Sequence, residues 1–183
     1  MLEKFETNKE DIFILVIDIQ ERLIKAMEEG PSLITNVQKL LMGATILDIP
    51  VMVTEQYPKG LGSAIPAITD CLKNTTPISK MTFSACAPQV LEVLKTQNVK
   101  NIVIVGMETH VCVFQTARQL LKEGYDVFLA ADGICSRNKE LKENGLNLIE
   151  NMGAVITNVE TLLFNWLEVA GTDSFKAISK IVK

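Results

Sequence analysis

The sequence predicts an α/β fold built on a parallel sheet, and three observations carry that expectation. Six short, β-branched runs recur along the chain, stretches with helical period lie between them, and no repeat, low-complexity segment or Ser/Gly linker interrupts the alternation. Strands that alternate with helices pair in parallel, because each return to the sheet needs a crossover. One doubly wound domain spanning 1–183 is the economical reading.

In chain order, IFILVID (Ile12 to Asp18) reads as a strand covered on both faces, since apolar residues fill it without alternation. Leu33, Val37, Leu40, Leu41 and Ala44 then share one side of a helix. PVMVTEQ (Pro50 to Gln56) is a second strand. It runs into EQYPKGLGSAIPA (Glu55 to Ala67), a long irregular stretch holding two glycines and two prolines. Ligands bind beyond the carboxyl ends of strands in open α/β sheets, so this stretch is a candidate rim or lid; an ordinary turn-rich connection is the alternative. PISK (Pro77 to Lys80) is a weak third strand, NIVIVG (Asn101 to Gly106) a fourth, DVFLAAD (Asp126 to Asp132) a fifth and AVITN (Ala154 to Asn158) a sixth. Before the sixth, Leu141, Leu148, Ile149 and Met152 form a helix face closed by Gly153. After it, Thr157 and Glu160 make a capping-box pattern ahead of Leu162, Leu163, Trp166 and Leu167, with Gly171 as the stop and DSFKAISKIVK as a last short helix.

Composition narrows the function. Lys+Arg 18 against Asp+Glu 22 leaves a net charge of −4, which opposes a broad basic surface for nucleic acid or anionic membrane. The longest strongly apolar stretch, Ile12 to Ile17, falls far short of the ~20 residues of a membrane helix. Cys71, Cys86, Cys112 and Cys135 show no CxxC spacing, and the polar opening MLEKFETNKED has no apolar leader core, so reduced thiols and a cytoplasmic location are expected. A single histidine, His110, leaves little room for zinc or Ser-His-Asp chemistry.

Three reactive groups fall where strands end. Asp18 closes the first, Lys80 the third, and Cys112 follows the fourth after GMETHV. If a helix begins near His110 or Val111, Cys112 occupies its first turn, where free N–H groups and the helix dipole favour a thiolate and a neighbouring Lys lowers the thiol pKa further. A carboxylate can take the thiol proton and later deliver it to a leaving group. Each residue alone has a plainer reading. A buried Cys is often an inert small hydrophobe, a strand-end Asp a helix cap, and a Lys a solvated charge.

The order VIDIQ, TEQYPKGLG, SKMTFSA and IVIVGMETHVCVFQTARQL resembles the isochorismatase-like cysteine hydrolase superfamily, closest to its isochorismatase domain-containing branch. The resemblance runs from Asp11 to about Leu167, and Gly106 to Ala117 is its most specific part. It implies a three-layer Rossmann-like fold, with a six-stranded parallel sheet in the order 3-2-1-4-5-6 and helices on both faces. It also implies a catalytic triad of Asp18, Lys80 and Cys112: Cys112 attacks a carbonyl or similar carbon, Asp18 shuttles the proton, Lys80 stabilises charge, and water releases the acyl-enzyme. A cis Met107–Glu108 peptide is implied as well, letting the backbone N–H groups of Glu108 and Cys112 form an oxyanion hole. Nicotinamidases of the superfamily carry a metal-binding Asp and paired histidines, and this sequence has no second histidine, so no metal or cofactor is expected. The residues that contact substrate in true isochorismatases have no confident match here, which leaves the substrate open. A homodimer or larger homo-oligomer is implied.

Gln20, Glu55, Gln56 and Tyr57 are candidates to line the pocket, with loop-closing hydrogen bonds as the alternative. Phe83 is a candidate apolar wall or a plain core aromatic. His110 either contacts substrate or serves a structural role beneath the turn. Cys71, Cys86 and Cys135 read as structural, and Arg137 as surface unless it anchors an anion. The expected function is metal-independent hydrolysis of a small amide or related acyl compound through a thioester. The alternative is a catalytically silent binding or assembly module. RNA processing, a label carried by relatives in this branch, sits poorly with the net charge of −4.

Overall fold

The computed structural model of the chain describes residues 2, 5–72 and 75–183. Its strands are β1 (Ile12–Ile17), β2 (Val51–Gln56), β3 (Ile78–Lys80), β4 (Asn101–Met107), β5 (Asp126–Cys135) and β6 (Val155–Thr157), all paired in parallel in the order β3-β2-β1-β4-β5-β6. Its α-helices are α1 (Gly30–Ile46), α2 (Pro58–Leu61), α3 (Pro66–Thr69), α4 (Pro88–Thr96), α5 (Phe114–Lys122), α6 (Lys139–Asn151), α7 (Val159–Leu167) and α8 (Asp173–Ile181). Side chains alternate across a strand, so β1 feeds two cores. Ile12, Ile14 and Val16 pack toward α1, α7 and α8, whereas Phe13, Leu15 and Ile17 pack toward α4, α5 and α6. The three layers expected from the resemblance are therefore present.

All five apolar residues of the α1 stripe are buried, as the helical spacing requires. Four sequence expectations need correction. The stretch after β2 is not an irregular loop: Pro58 and Pro66 each open a single-turn helix, the position where a missing N–H costs nothing. The cap of α7 is Asn158, whose side chain accepts the Thr161 N–H, because Thr157 still belongs to β6. α7 ends at Leu167, with Glu168 at φ 57, ahead of Gly171. Finally, Leu148 is 45% exposed; Gly145 and Ile149 form the buried line of α6 instead.

The reversal of strand order between β1 and β4 opens the crevice where α/β sheets place ligands. Gly106 makes that crevice tight. It pairs with Ile17 at φ 126, and a Cβ there would collide with the Ile17 carbonyl.

Candidate active site

Asp18 follows β1 with φ 55, a left-handed conformation that costs a non-glycine residue energy and recurs at functional positions. Its N–H donates to the Thr54 carbonyl at 3.2 Å, which turns the carboxylate under the sheet edge. Both oxygens are engaged: the Thr54 hydroxyl donates to Oδ1 at 2.8 Å and the Lys80 ammonium to Oδ2 at 2.7 Å. The Cys112 thiol faces this carboxylate closely enough for each to shift the other's proton affinity. Asp18, Lys80 and Cys112 thus converge, although 62 residues separate the first two.

Lys80 is buried with four acceptors around Nζ: Asp18 Oδ2, Gln56 Oε1 at 2.8 Å, and the carbonyls of Phe83 at 3.0 Å and Thr82 at 3.2 Å. An ammonium carries three protons, so this cation has none left over. Burial pushes the Asp18 carboxyl above the ordinary carboxylate range, while the Lys80 charge and hydrogen bond, the Thr54 hydrogen bond and the facing Cys112 thiol pull it back.

Cys112 lies in a π-helical turn, Thr109–Val113, that leads into α5. The depressed thiol pKa expected from the sequence is overturned. Burial first, then the Asp18 carboxylate facing the sulfur, push the thiol up to about 12; Lys80 opposes them and Glu108 adds to them. The physical reason is that the ammonium is bonded to Asp18, so a thiolate would form beside an existing anion with little water. Two of the turn's amides, the N–H groups of Val111 and Val113, are already taken by the Glu108 carbonyl. Cys112 therefore rests as a protonated thiol facing the Asp18 carboxylate.

The turn itself is held by backbone and small residues. Met107–Glu108 is cis, as the resemblance implies. The Thr109 hydroxyl donates to the Cys135 carbonyl at 3.0 Å, and the Thr116 hydroxyl donates to the Cys112 carbonyl at 2.6 Å while accepting the Ala85 N–H at 2.8 Å. Gly145 lets α6 approach: a Cβ there would stand 2.9 Å from the His110 nitrogen. Among the described residues no backbone acceptor meets the Glu108 N–H.

Three of the pocket candidates, Gln20, Glu55 and Gln56, make the loop-closing hydrogen bonds of the alternative reading. Gln20 accepts the Gln56 N–H at 2.8 Å and donates to the carbonyls of Gln56 at 3.0 Å and Gly62 at 2.7 Å. Gln56 also donates to the Met81 carbonyl, and Glu55 accepts the Ala64 N–H at 2.7 Å. With Glu21, Arg22 and Ile65 bonded across to Ser63, Leu61 and Ile19, the 55–67 stretch is a fastened rim. Tyr57, at φ 39, is 46% exposed; Phe83 is 52% exposed, so it is not a core aromatic, and it meets the site through its carbonyl. His110 Nδ1 lies 3.1 Å from the Ser136 hydroxyl, and its Nε2 lies 3.5 Å from Arg137, which donates to Glu108 Oε1 at 2.8 Å.

Thr54 and Thr116 were not legible as site residues. Threonine is an ordinary strand former, and the one signal at Thr54 is a polar side chain two positions before Gln56 in a buried strand. Two roomy clefts, of about 510 Å³ beside Gln115 and Gln119 and about 410 Å³ beside Leu47 and Trp166, are lined by none of the three converging residues. The three converging residues are themselves buried, with Cys112 6% exposed. Among the described residues no three His, Cys, Asp or Glu side chains converge as a metal site, and no helix is long and apolar enough to cross a membrane.

A parallel 3-2-1-4-5-6 sheet with polar groups gathered at its carboxyl edge defines the Rossmann-like α/β class. Within it the chain belongs to the isochorismatase family: the isochorismatase domain model matches residues 13–161. It is 35% identical over 171 residues to isochorismatase domain-containing protein 2 of Xenopus laevis, covering 92% of this chain and 82% of that one. It is also 35% identical over 175 residues to a secreted isochorismatase effector of Phytophthora sojae, covering 93% and 83%. The solved structure of the MAR1 ribonuclease of Caenorhabditis elegans superposes with a TM-score of 0.92 at 34% identity, covering 97% of this chain and 92% of that one.

Proposed function

We propose that the protein is a metal-independent cysteine hydrolase acting on a small amide or related acyl compound through a thioester. The observation that carries this reading is the buried Asp18–Lys80 ion pair with the Cys112 thiol facing it. As sulfur bonds to the carbonyl carbon, the thiol proton passes to Asp18, and the new oxyanion takes the N–H groups of Glu108 and Cys112. Collapse breaks the C–N bond, with Asp18 returning the proton to the leaving amine. Water then attacks the thioester, Asp18 takes a proton from it, and that proton returns to sulfur as the C–S bond breaks and the acid departs. Lys80 keeps Asp18 ionised in the resting enzyme, ready to accept the thiol proton; its saturated ammonium does not bind the substrate.

A panel of small amides should show turnover by the wild type that is lost in Cys112→Ala and Asp18→Asn. No thiol-dependent turnover across the panel would favour a binding or assembly module. We read 1–183 as one domain that works without a cofactor. RNA is disfavoured as substrate by the net charge of −4 and by the burial of Cys112, and salt-insensitive absence of RNA binding is expected. Four free thiols support a cytoplasmic location, although one relative is known as a secreted protein. A homodimer or larger assembly is expected on sizing in solution.

A further inference from the structure

β2 contributes no member of the triad, yet it lies between the two strands that carry Asp18 and Lys80. Neighbouring strands stand about 4.8 Å apart, so a side chain on β3 must cross roughly two such spacings to reach β1. Lys80 makes that crossing directly above Gln56, its partner in register. Thr54 and Gln56 share a face of β2, two residues apart. The first donates to Asp18 and the second accepts from Lys80, so β2 holds both ends of the ion pair it separates.

Resting on the proposed hydrolase reading, we infer that Thr54 and Gln56 are positioning residues that set the proton affinity of Asp18, Thr54 by donating to its carboxylate and Gln56 by steering the Lys80 ammonium onto it. Gln56 is itself immobile, because Gln20 and the Met81 carbonyl hold its backbone and amide. The ionisable groups facing Asp18 are Lys80 from β3 and Cys112 from the turn after β4; Glu108 faces Cys112 and is paired with Arg137. Among the described residues no further charge faces Asp18 to offset the loss of a donor.

Alkylation of Cys112 by iodoacetamide tests this without a known substrate. The S–C bond forms, the C–I bond breaks with loss of iodide, and the thiol proton goes to Asp18, so the rate should fall at low pH as Asp18 takes up its own proton. Mass-spectrometric rates across pH should give the wild type a plateau with an acid limb, lost in Asp18→Asn. Thr54→Val should move that limb up by about one to two pH units, Thr54→Ser should restore it, and Gln56→Leu should move it in the same direction. Thr54→Ala serves the same purpose if the valine variant does not fold. A limb left in place by Thr54→Val, or moved equally by Thr54→Ser, overturns the inference while leaving Asp18 as proton acceptor. Identical profiles for the wild type and Asp18→Asn overturn the hydrolase mechanism itself and this inference with it.

Discussion

The two halves of the site are built by different means. At the β1–β2–β3 corner, side chains do the positioning: Thr54, Gln20 and Gln56 surround an ion pair whose every polar atom has a partner. At the turn after β4, close backbone packing does most of it: Gly106 and Gly145 permit the approach, and only two neutral hydroxyls, of Thr109 and Thr116, pin carbonyls. The difference follows from what each half must hold. A buried charge is tolerable only when paired and hydrogen-bonded, which requires polar side chains. A neutral thiol makes no such demand, and its placement rests on the chain path and the two hydroxyls that pin it.

Removing Lys80 should separate the halves most sharply. Lys80→Met leaves a buried carboxylate without its cation, and thermal or urea unfolding should register a loss of about 3–5 kcal/mol, whereas Lys80→Met combined with Asp18→Asn should recover most of it. An equal loss in the double variant would mean that the pair is not what stabilises the corner. On the turn side, Gly145→Val should cost about 1–3 kcal/mol through overpacking against His110 and Thr109, with Cys112 alkylation slowed as α6 is forced away. Unchanged stability would show that α6 yields freely and does not shape the nucleophile.

The smallest effect concerns proton linkage at the thiol. Folding raises the Cys112 pKa to about 12, so the native state holds that proton more tightly than the unfolded chain. Stability should therefore fall as pH rises above the ordinary thiol value of about 8.5 toward 12, and the fall should be shallower in Cys112→Ser. Urea midpoints measured against pH for the two proteins supply the comparison. A steeper decline in the serine variant would reverse the sign assigned to the thiol.

Much of this was legible along the chain. Asp18, Lys80 and Cys112 stand at strand ends that the β-branched runs mark clearly, and the six strands lie within a few residues of where their patterns put them. Thr54 escaped notice because its role depends on a carboxylate 36 residues away, and Gln20 and Gln56 read as pocket residues because polarity at a strand end does not reveal which backbone groups await it. Thr157 and Asn158 are both good caps, and only the last residue of β6 decides between them.

By itself the sequence determined the alternation of strands and helices, the families of residue at the carboxyl edge and the scarcity of histidine, since periodicity and composition are local properties. Tertiary structure alone decided the state of the nucleophile. Whether Lys80 activates a thiolate or neutralises a carboxylate depends on which anion its ammonium touches. That contact is made across an intervening strand, in a buried place where one bonded charge leaves little for another.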